Sequence, residues 1–312
     1  MSKNIQFIFN SSELGAGTRG ASLGPEAIRA AARAKGSRLF SQFKVQKVAN
    51  YNDLLDLPTT FRYAKYIDGL SAVFESLSEE IQVSIASDSL PIVLSGDHSS
   101  AAGTLAALQK AFPGKRIGVL WIDAHADIHS PYTTPSGNIH GMPIAAALGL
   151  DHLHLAKNEL DETTAAYWNT LKSNAFLAQD LVYIGVRDTE AEEDAILKEL
   201  NLRNYTVNEL RQKGLAICLQ EISDKLIDCD LIYVSFDVDS MDPNETSYGT
   251  GTPVANGLLF SEAKAILGFF AKDPRLCALE IVEVNPCLDD QQNKMAEQAL
   301  ELIENIIAQR TV

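Results

Sequence analysis

Asp123, His125 and Asp127 stand at every second position, directly after the apolar run Ile117-Gly-Val-Leu-Trp-Ile122. Alternate side chains of an extended backbone point the same way, so a carboxylate, an imidazole and a second carboxylate converge at the end of a buried strand. The pattern recurs twice. His98 follows Pro91-Ile-Val-Leu-Ser95 within Gly96-Asp97-His98, and Asp237 and Asp239 follow Leu231-Ile-Tyr-Val-Ser-Phe236. These are oxygen and nitrogen donors suited to divalent ions such as Mn²⁺, Co²⁺ or Fe²⁺. Charge leads to the same place. Asp123, Asp127, Asp237 and Asp239 bring four negative charges when ionised, and their motifs hold no Lys or Arg. At ~4 Å and an effective dielectric of about 20, each pair repels by roughly 4 kcal/mol. Either protons or cations must hold them. Two divalent ions balance the four aspartates, with His98 and His125 as neutral donors. Ions ~3.5–4 Å apart share one water and lower its pKa towards neutrality. Asp123 and Asp237, each first in its motif, are expected to bridge. An isolated Asp-x-His or Asp-x-Asp is ordinarily a turn or a cap. Three such motifs at three strand ends are hard to explain that way.

The elements that must position these residues alternate along the chain. Strands are expected at 5–9, 91–95, 117–123, 181–186, 231–236 and 276–284. Helices are expected at 25–34, 63–85, 99–112, 143–150, 190–200, 217–227, 261–271 and 297–309. This alternation predicts a three-layer α/β/α architecture with a central, mostly parallel sheet. Such sheets bind ligands outside the carboxyl ends of their strands, where all three motifs lie. No linker interrupts residues 1–312, which are read as a single domain. The Gly/Pro/Ser-rich loop from Ser130 to Pro143 carries enough polar groups to serve an active site.

Composition narrows the partners. The chain is 46% hydrophobic and 21% charged, with a net charge of −15. Nucleic acid and anionic membranes call for basic patches that are not visible here. The acidity reads first as a solubility device, and it also mildly favours a cationic substrate through on-rate more than affinity. Cys218, Cys229, Cys277 and Cys287 form no Cys-x-x-Cys pair and are expected to be buried free thiols. With no secretory pattern and no spanning apolar run, the expected location is the cytoplasm.

Gly96-Asp97-His98-Ser99, Asp123-Ala-His125-Ala-Asp127 and Ser235-Phe-Asp237-Val-Asp239-Ser-Met-Asp242-Pro243 resemble the three signatures of the ureohydrolases, the binuclear manganese enzymes that include arginase and agmatinase. Gly15-Ala-Gly17-Thr-Arg19-Gly20 through Gly24-Pro25, Gly249-Thr-Gly251-Thr252-Pro253 and Glu283-Val-Asn285-Pro286 resemble further segments in the same order. The resemblance implies an arginase-like fold and two Mn²⁺ per subunit, with Co²⁺ or Fe²⁺ as alternatives. It also implies a small cationic guanidino substrate and a homo-oligomer, trimer or hexamer. By position, His98, Asp123, Asp127 and Asp237 would hold one ion, and His125, Asp123, Asp237 and Asp239 the other. Glu283 would pair with the guanidinium, His140 would shuttle protons, and Thr252 would shape the pocket. Ser136-Gly137-Asn138-Ile-His140-Gly141 resembles the arginase form of the loop. A serine hydroxyl and an asparagine amide can both donate to an α-carboxylate, which agmatine lacks.

Two positions depart from the pattern. His129 stands where the arginase loop carries Asn, and is expected to be either a carboxylate contact or an exposed loop residue. Glu190 stands where an Asp contacts the substrate α-amino group, with Asp188 and Glu193 as neighbouring acidic contacts. The implied reaction is hydrolysis of L-arginine to L-ornithine and urea by a hydroxide held between the ions, with Asp127 relaying its proton. Alternatives are an agmatinase or another guanidino-acid ureohydrolase, a two-metal phosphoesterase, and a non-catalytic binder on the same fold. Motif order and the lack of basic phosphate clamps disfavour the phosphoesterase. The full ligand set disfavours the non-catalytic binder. His152 and His154 are read as surface or packing residues, and Trp121 and Trp168 as core.

Overall fold

The structure, a computed structural model, describes residues 4–311. The strands are β1 (Asn4–Asn10), β2 (Lys44–Lys47), β3 (Ser89–Ser95), β4 (Ile117–Ile122), β5 (Leu181–Ile184), β6 (Arg203–Tyr205), β7 (Leu231–Asp237) and β8 (Leu276–Val282). They form one sheet in the order β2-β1-β3-β8-β7-β4-β5-β6. Every neighbouring pair is parallel. Strands covered on both faces read as continuous apolar runs, which is why β3, β4, β7 and β8 were visible in the sequence.

The helices are α1 (Gly24–Ala34), α2 (Leu39–Gln42), α3 (Ile67–Ala86), α4 (Ser100–Ala111), α5 (Pro143–Leu148), α6 (Glu162–Leu171), α7 (Ala191–Glu199), α8 (Val207–Lys213), α9 (Leu215–Lys225), α10 (Phe260–Ala271) and α11 (Lys294–Thr311). Side-chain alternation divides the core between two faces. Ile232, Val234 and Phe236 of β7 pack with residues of α1, α9, α10 and α11. Tyr233 packs on the opposite face with residues of α3, α4, α5 and α7. The three-layer expectation holds. No described helix is long and apolar enough to cross a membrane.

The topology creates the site. β3 and β4 are successive among the long strands, yet β8 and β7 separate them in the sheet. Chain direction therefore diverges there and leaves a crevice above the carboxyl ends. His98 follows β3, Asp123 follows β4, Asp237 ends β7 and Glu283 follows β8.

Several boundaries differ from expectation. The helix expected from Tyr63 starts at Ile67, because residues 62–66 form a turn in which the Lys65 N–H donates to Gly137 O at 2.8 Å. β8 ends at Val282, and Glu283 takes φ +65°. The edge strands β2 and β6 and the helices α2, α6 and α8 lie outside the expected elements. β2 reads Lys-Val-Gln-Lys and β6 has three residues. Short, charged edges discourage intermolecular pairing and leave little apolar pattern to detect.

Candidate metal centre and cavity

Each ligand is held by the backbone around it. Asp123 Oδ1 accepts from the His125 N–H at 2.7 Å, and Asp237 Oδ1 accepts from the Asp239 N–H at 2.8 Å. Asp239 Oδ1 accepts from the Ala124 N–H at 3.1 Å, tying the β7 motif to the β4 motif, and its Oδ2 accepts from Thr252 Oγ1 at 2.9 Å. Asp127 takes φ +50°, a left-handed conformation that costs a non-glycine residue of order 1–3 kcal/mol and is found at functional sites.

The side chains converge as expected. His98 Nδ1 lies 3.0 Å from Asp123 Oδ2, 3.1 Å from Asp127 Oδ2 and 3.1 Å from Asp237 Oδ2. His125 Nδ1 lies 3.1 Å from Asp239 Oδ2 and 3.5 Å from Asp123 Oδ1. Two potential ligand groups result, His98–Asp123–Asp237 and Asp123–His125–Asp239, with Asp123 common to both. Asp237, also expected to bridge, falls in the first.

All four aspartates are buried. Among the described residues, no Lys or Arg forms an ion pair with them; their partners are His98 and His125. Burial and the Asp123 charge push Asp127 up to about 6. Burial, Asp239 and Asp123 raise Asp237 well above the carboxylate range, and burial and Asp123 raise Asp239. Burial disfavours the His98 imidazolium, but its three carboxylate neighbours outweigh that and raise it well above the ordinary value. Yet His98 Nδ1, though ringed by these oxygens, makes no well-directed hydrogen bond. Its Nε2 meets Ser235 Oγ at 2.7 Å. A nitrogen ringed by acidic oxygens without a well-directed hydrogen bond, in a buried anionic cluster, fits divalent cations with oxygen and imidazole ligands.

The expected substrate contacts His129, Ser136, Asn138, Asp188, Glu190, Glu193 and Thr252 all line one cavity of about 360 Å³, together with His98, His125, Asp127, His140, Asp237 and Asp239. Glu283 stands just behind the wall. Its Oε1 accepts from the His98 N–H at 3.0 Å and meets His140 Nδ1 at 3.1 Å. Burial lowers His140, but the Glu283 contact prevails and raises it to about 9.

His129 is buried, not exposed as its loop position suggested. Its Nδ1 meets Thr133 Oγ1 at 3.0 Å and its Nε2 meets Glu190 Oε2 at 3.2 Å. That contact lowers Glu190 to about 2, while burial and Glu190 raise Glu193 well above its ordinary value. His129, Glu190 and Glu193 could also group around an ion. At the start of α7 the Glu190 N–H donates to Glu193 Oε2 at 3.2 Å, which already accounts for the pairing of the two glutamates.

Sequence reading gave Trp121 a packing role alone. It is fully buried, but its ring also stacks on His98 with centroids 4.0 Å apart, and its Nε1 donates to Asp123 Oδ2 at 2.9 Å. A tryptophan two residues before a ligand on the same strand face was the available signal. Trp168 is core as expected; His152 is buried and His154 is paired with Glu199 at the surface. Cys218, Cys229 and Cys277 are buried, whereas Cys287 is exposed because it lies in the loop beyond β8.

Comparison with known proteins agrees with this geometry. The profile of the Arginase family matches residues 7–308. The arginase of Bacillus subtilis (strain 168) is 34% identical over 320 residues, 99% of each chain. The native structure of arginase from Bacillus caldovelox superposes with a TM-score of 0.82 at 30% identity, covering 97% of this chain and 98% of that one. Entamoeba histolytica arginase in complex with L-ornithine superposes with a TM-score of 0.84 at 26% identity, covering 98% of each. A fully parallel sheet with clustered carboxylates and imidazoles at its switch point defines an α/β metallohydrolase site. The chain belongs to the arginase family.

Proposed function

We propose that this chain hydrolyses the guanidino group of L-arginine, releasing L-ornithine and urea. One observation supports the reading: Ser136, Asn138, Glu190 and Glu193 line the same cavity as the ligand candidates His98, His125, Asp127, Asp237 and Asp239, the first two able to donate to a carboxylate and the two glutamates able to accept from an ammonium group. L-ornithine bound to the Entamoeba relative supports an amino-acid head group.

A guanidinium is resonance-stabilised and a weak electrophile, so its reaction depends on a strong nucleophile held close. Two divalent ions, held by His98, Asp123, Asp127 and Asp237 and by His125, Asp123, Asp237 and Asp239, would supply it by acidifying water. Asp127 is the acceptor for the proton released in attack and returns it to the departing nitrogen. Glu283 pairs with the guanidinium, and its hold on His140 keeps a proton available to the leaving amine. Thr252 steadies Asp239 and shapes the wall beside it.

Within this reading the native ions are Mn²⁺, two per subunit, the assembly is a homotrimer or hexamer, and the location is the cytoplasm. Metal analysis, light scattering and cell fractionation check these in turn. Urea release from L-arginine, agmatine and a guanidino acid, after loading with Mn²⁺, Co²⁺ or Fe²⁺, tests the reaction. L-Arginine is expected to be the best substrate. Preference for agmatine would overturn the assignment, and turnover of a generic phosphoester would point to the phosphoesterase instead.

A further inference from the structure

The amphipathic pattern that placed Lys65 inside a helix hid its contact with the substrate loop. Residues 62–66 form a turn on which the segment 134–138 docks. The Lys65 N–H donates to Gly137 O at 2.8 Å, and Lys65 Nζ donates to Asn138 Oδ1 at 3.0 Å. Gly137 is held at φ +76°, and a Cβ there would lie 2.2 Å from Arg62 O, so the docking is close.

The second contact selects one face of an amide. An ammonium group has donors and no acceptor, so it can meet Asn138 only through Oδ1. Nδ2 then lies on the other side of the amide, close to Gly17, where an added Cβ would come within 2.6 Å of it. Ser136 is oriented as well. Its Oγ accepts from the Asn138 N–H at 3.1 Å, which leaves its O–H to donate. Both residues line the cavity and are the expected carboxylate donors. Beyond the ligand aspartates that wall carries Asp188, Glu190 and Glu193, and among the described residues no Lys or Arg lines it. A cation beside the carboxylate donors offsets the repulsion that these acidic side chains exert on an entering α-carboxylate.

We propose that Lys65 is a positioning residue that sets selectivity for guanidino substrates bearing an α-carboxylate, by orienting the Asn138 amide and placing a positive charge behind it. The proposal rests on the arginine-hydrolase reading above. It separates two tasks in one cavity: Glu190 and Glu193 face the ammonium end of the head group, and the Lys65–Asn138–Ser136 arm faces its carboxylate.

Lys65→Met and Lys65→Arg test it, with steady-state kinetics on L-arginine and with agmatine measured as substrate or competitive inhibitor. Loss of one charge-assisted contact predicts a rise in KM for arginine of about tenfold in Lys65→Met, with kcat changed by less than about twofold. The agmatine constant should move far less, and Lys65→Arg should recover most of the arginine affinity. Should Lys65→Met not fold, Lys65→Gln, which keeps a donor but not the charge, is judged by the same ratio. Equal weakening towards both compounds, or an unchanged ratio in an enzyme that turns over arginine, overturns the proposal. A wild-type protein that releases no urea from arginine overturns the substrate reading itself, and this proposal with it.

Discussion

Asp127 and Trp121 illustrate how little of a residue's role its type reveals. Asp127 combines a left-handed backbone, burial and contact with His98, and its position suits proton transfer. Asp127→Asn keeps the shape and removes the proton acceptor. It is expected to lower kcat by about 10²–10⁴-fold while circular dichroism and the melting transition stay close to wild type. Near-normal turnover would take Asp127 out of the mechanism. Trp121 acts through Asp123. Trp121→Phe retains an aromatic ring against His98 but loses the 2.9 Å Nε1 contact. Partners that orient a ligand typically account for about 10–100-fold in metal affinity, and a competition titration against a chelator should show a loss of that order. Unchanged affinity would reduce Trp121 to packing.

At the scale of elements, loops from distant parts of the chain must be held in mutual register. Arg187 does this for the segment after β7. Its guanidinium donates to the carbonyls of Gly185, Asp239, Ser240, Val254 and Ala255. Removing it leaves those carbonyls short of a donor, at about 1–3 kcal/mol for each one that stays buried. Arg187→Met is therefore expected to lower the melting temperature and to weaken binding of the metal on the Asp239 side. A variant with wild-type melting and metal content would show that the segment holds itself. The loop 134–138 depends instead on the turn at 62–66. Gly137→Ala adds a methyl 2.2 Å from Arg62 O at a positive φ. It should raise KM for arginine more than it lowers kcat, because the loop carries the head-group donors and not the ligands. A fall confined to kcat would contradict that division.

For the molecule as a whole, the buried anionic cluster links stability to pH and metal. Burial foremost raises Asp97 and Asp127 to about 6, and Asp237 and Asp239 are raised as well. A carboxyl raised on folding binds its proton more tightly in the folded chain, so stability present in acid is lost as pH rises from about 4 through about 6. Their carboxylate partners overcome burial to raise His98 and His125, and Glu283 does the same for His140, to about 9. These imidazoles contribute stability that is fully present below about 6.5 and is lost as pH rises through their folded values. Both sets have the same sign. Metal-stripped protein should melt progressively lower from about pH 5 to about pH 9. Metal ligands must be deprotonated, so the rise in melting temperature on adding Mn²⁺ should grow over that range. Thermal melts with and without Mn²⁺ check both slopes, and a metal-free curve that rises with pH would contradict the linkage.

The sequence by itself determined the alternating α/β pattern, the central strands and the ligand candidates at their ends. Buried parallel strands must be apolar along their length, and period-two spacing fixes which side chains share a face. It also placed every expected head-group contact in segments that proved to line the cavity. Tertiary structure decided what local pattern does not encode. It set the sheet order that parts β3 from β4, began helix α3 at Ile67 so that Lys65 could reach Asn138, and buried His129 against Glu190. Periodicity reports the environment of one segment, whereas these outcomes depend on which distant segment packs against it.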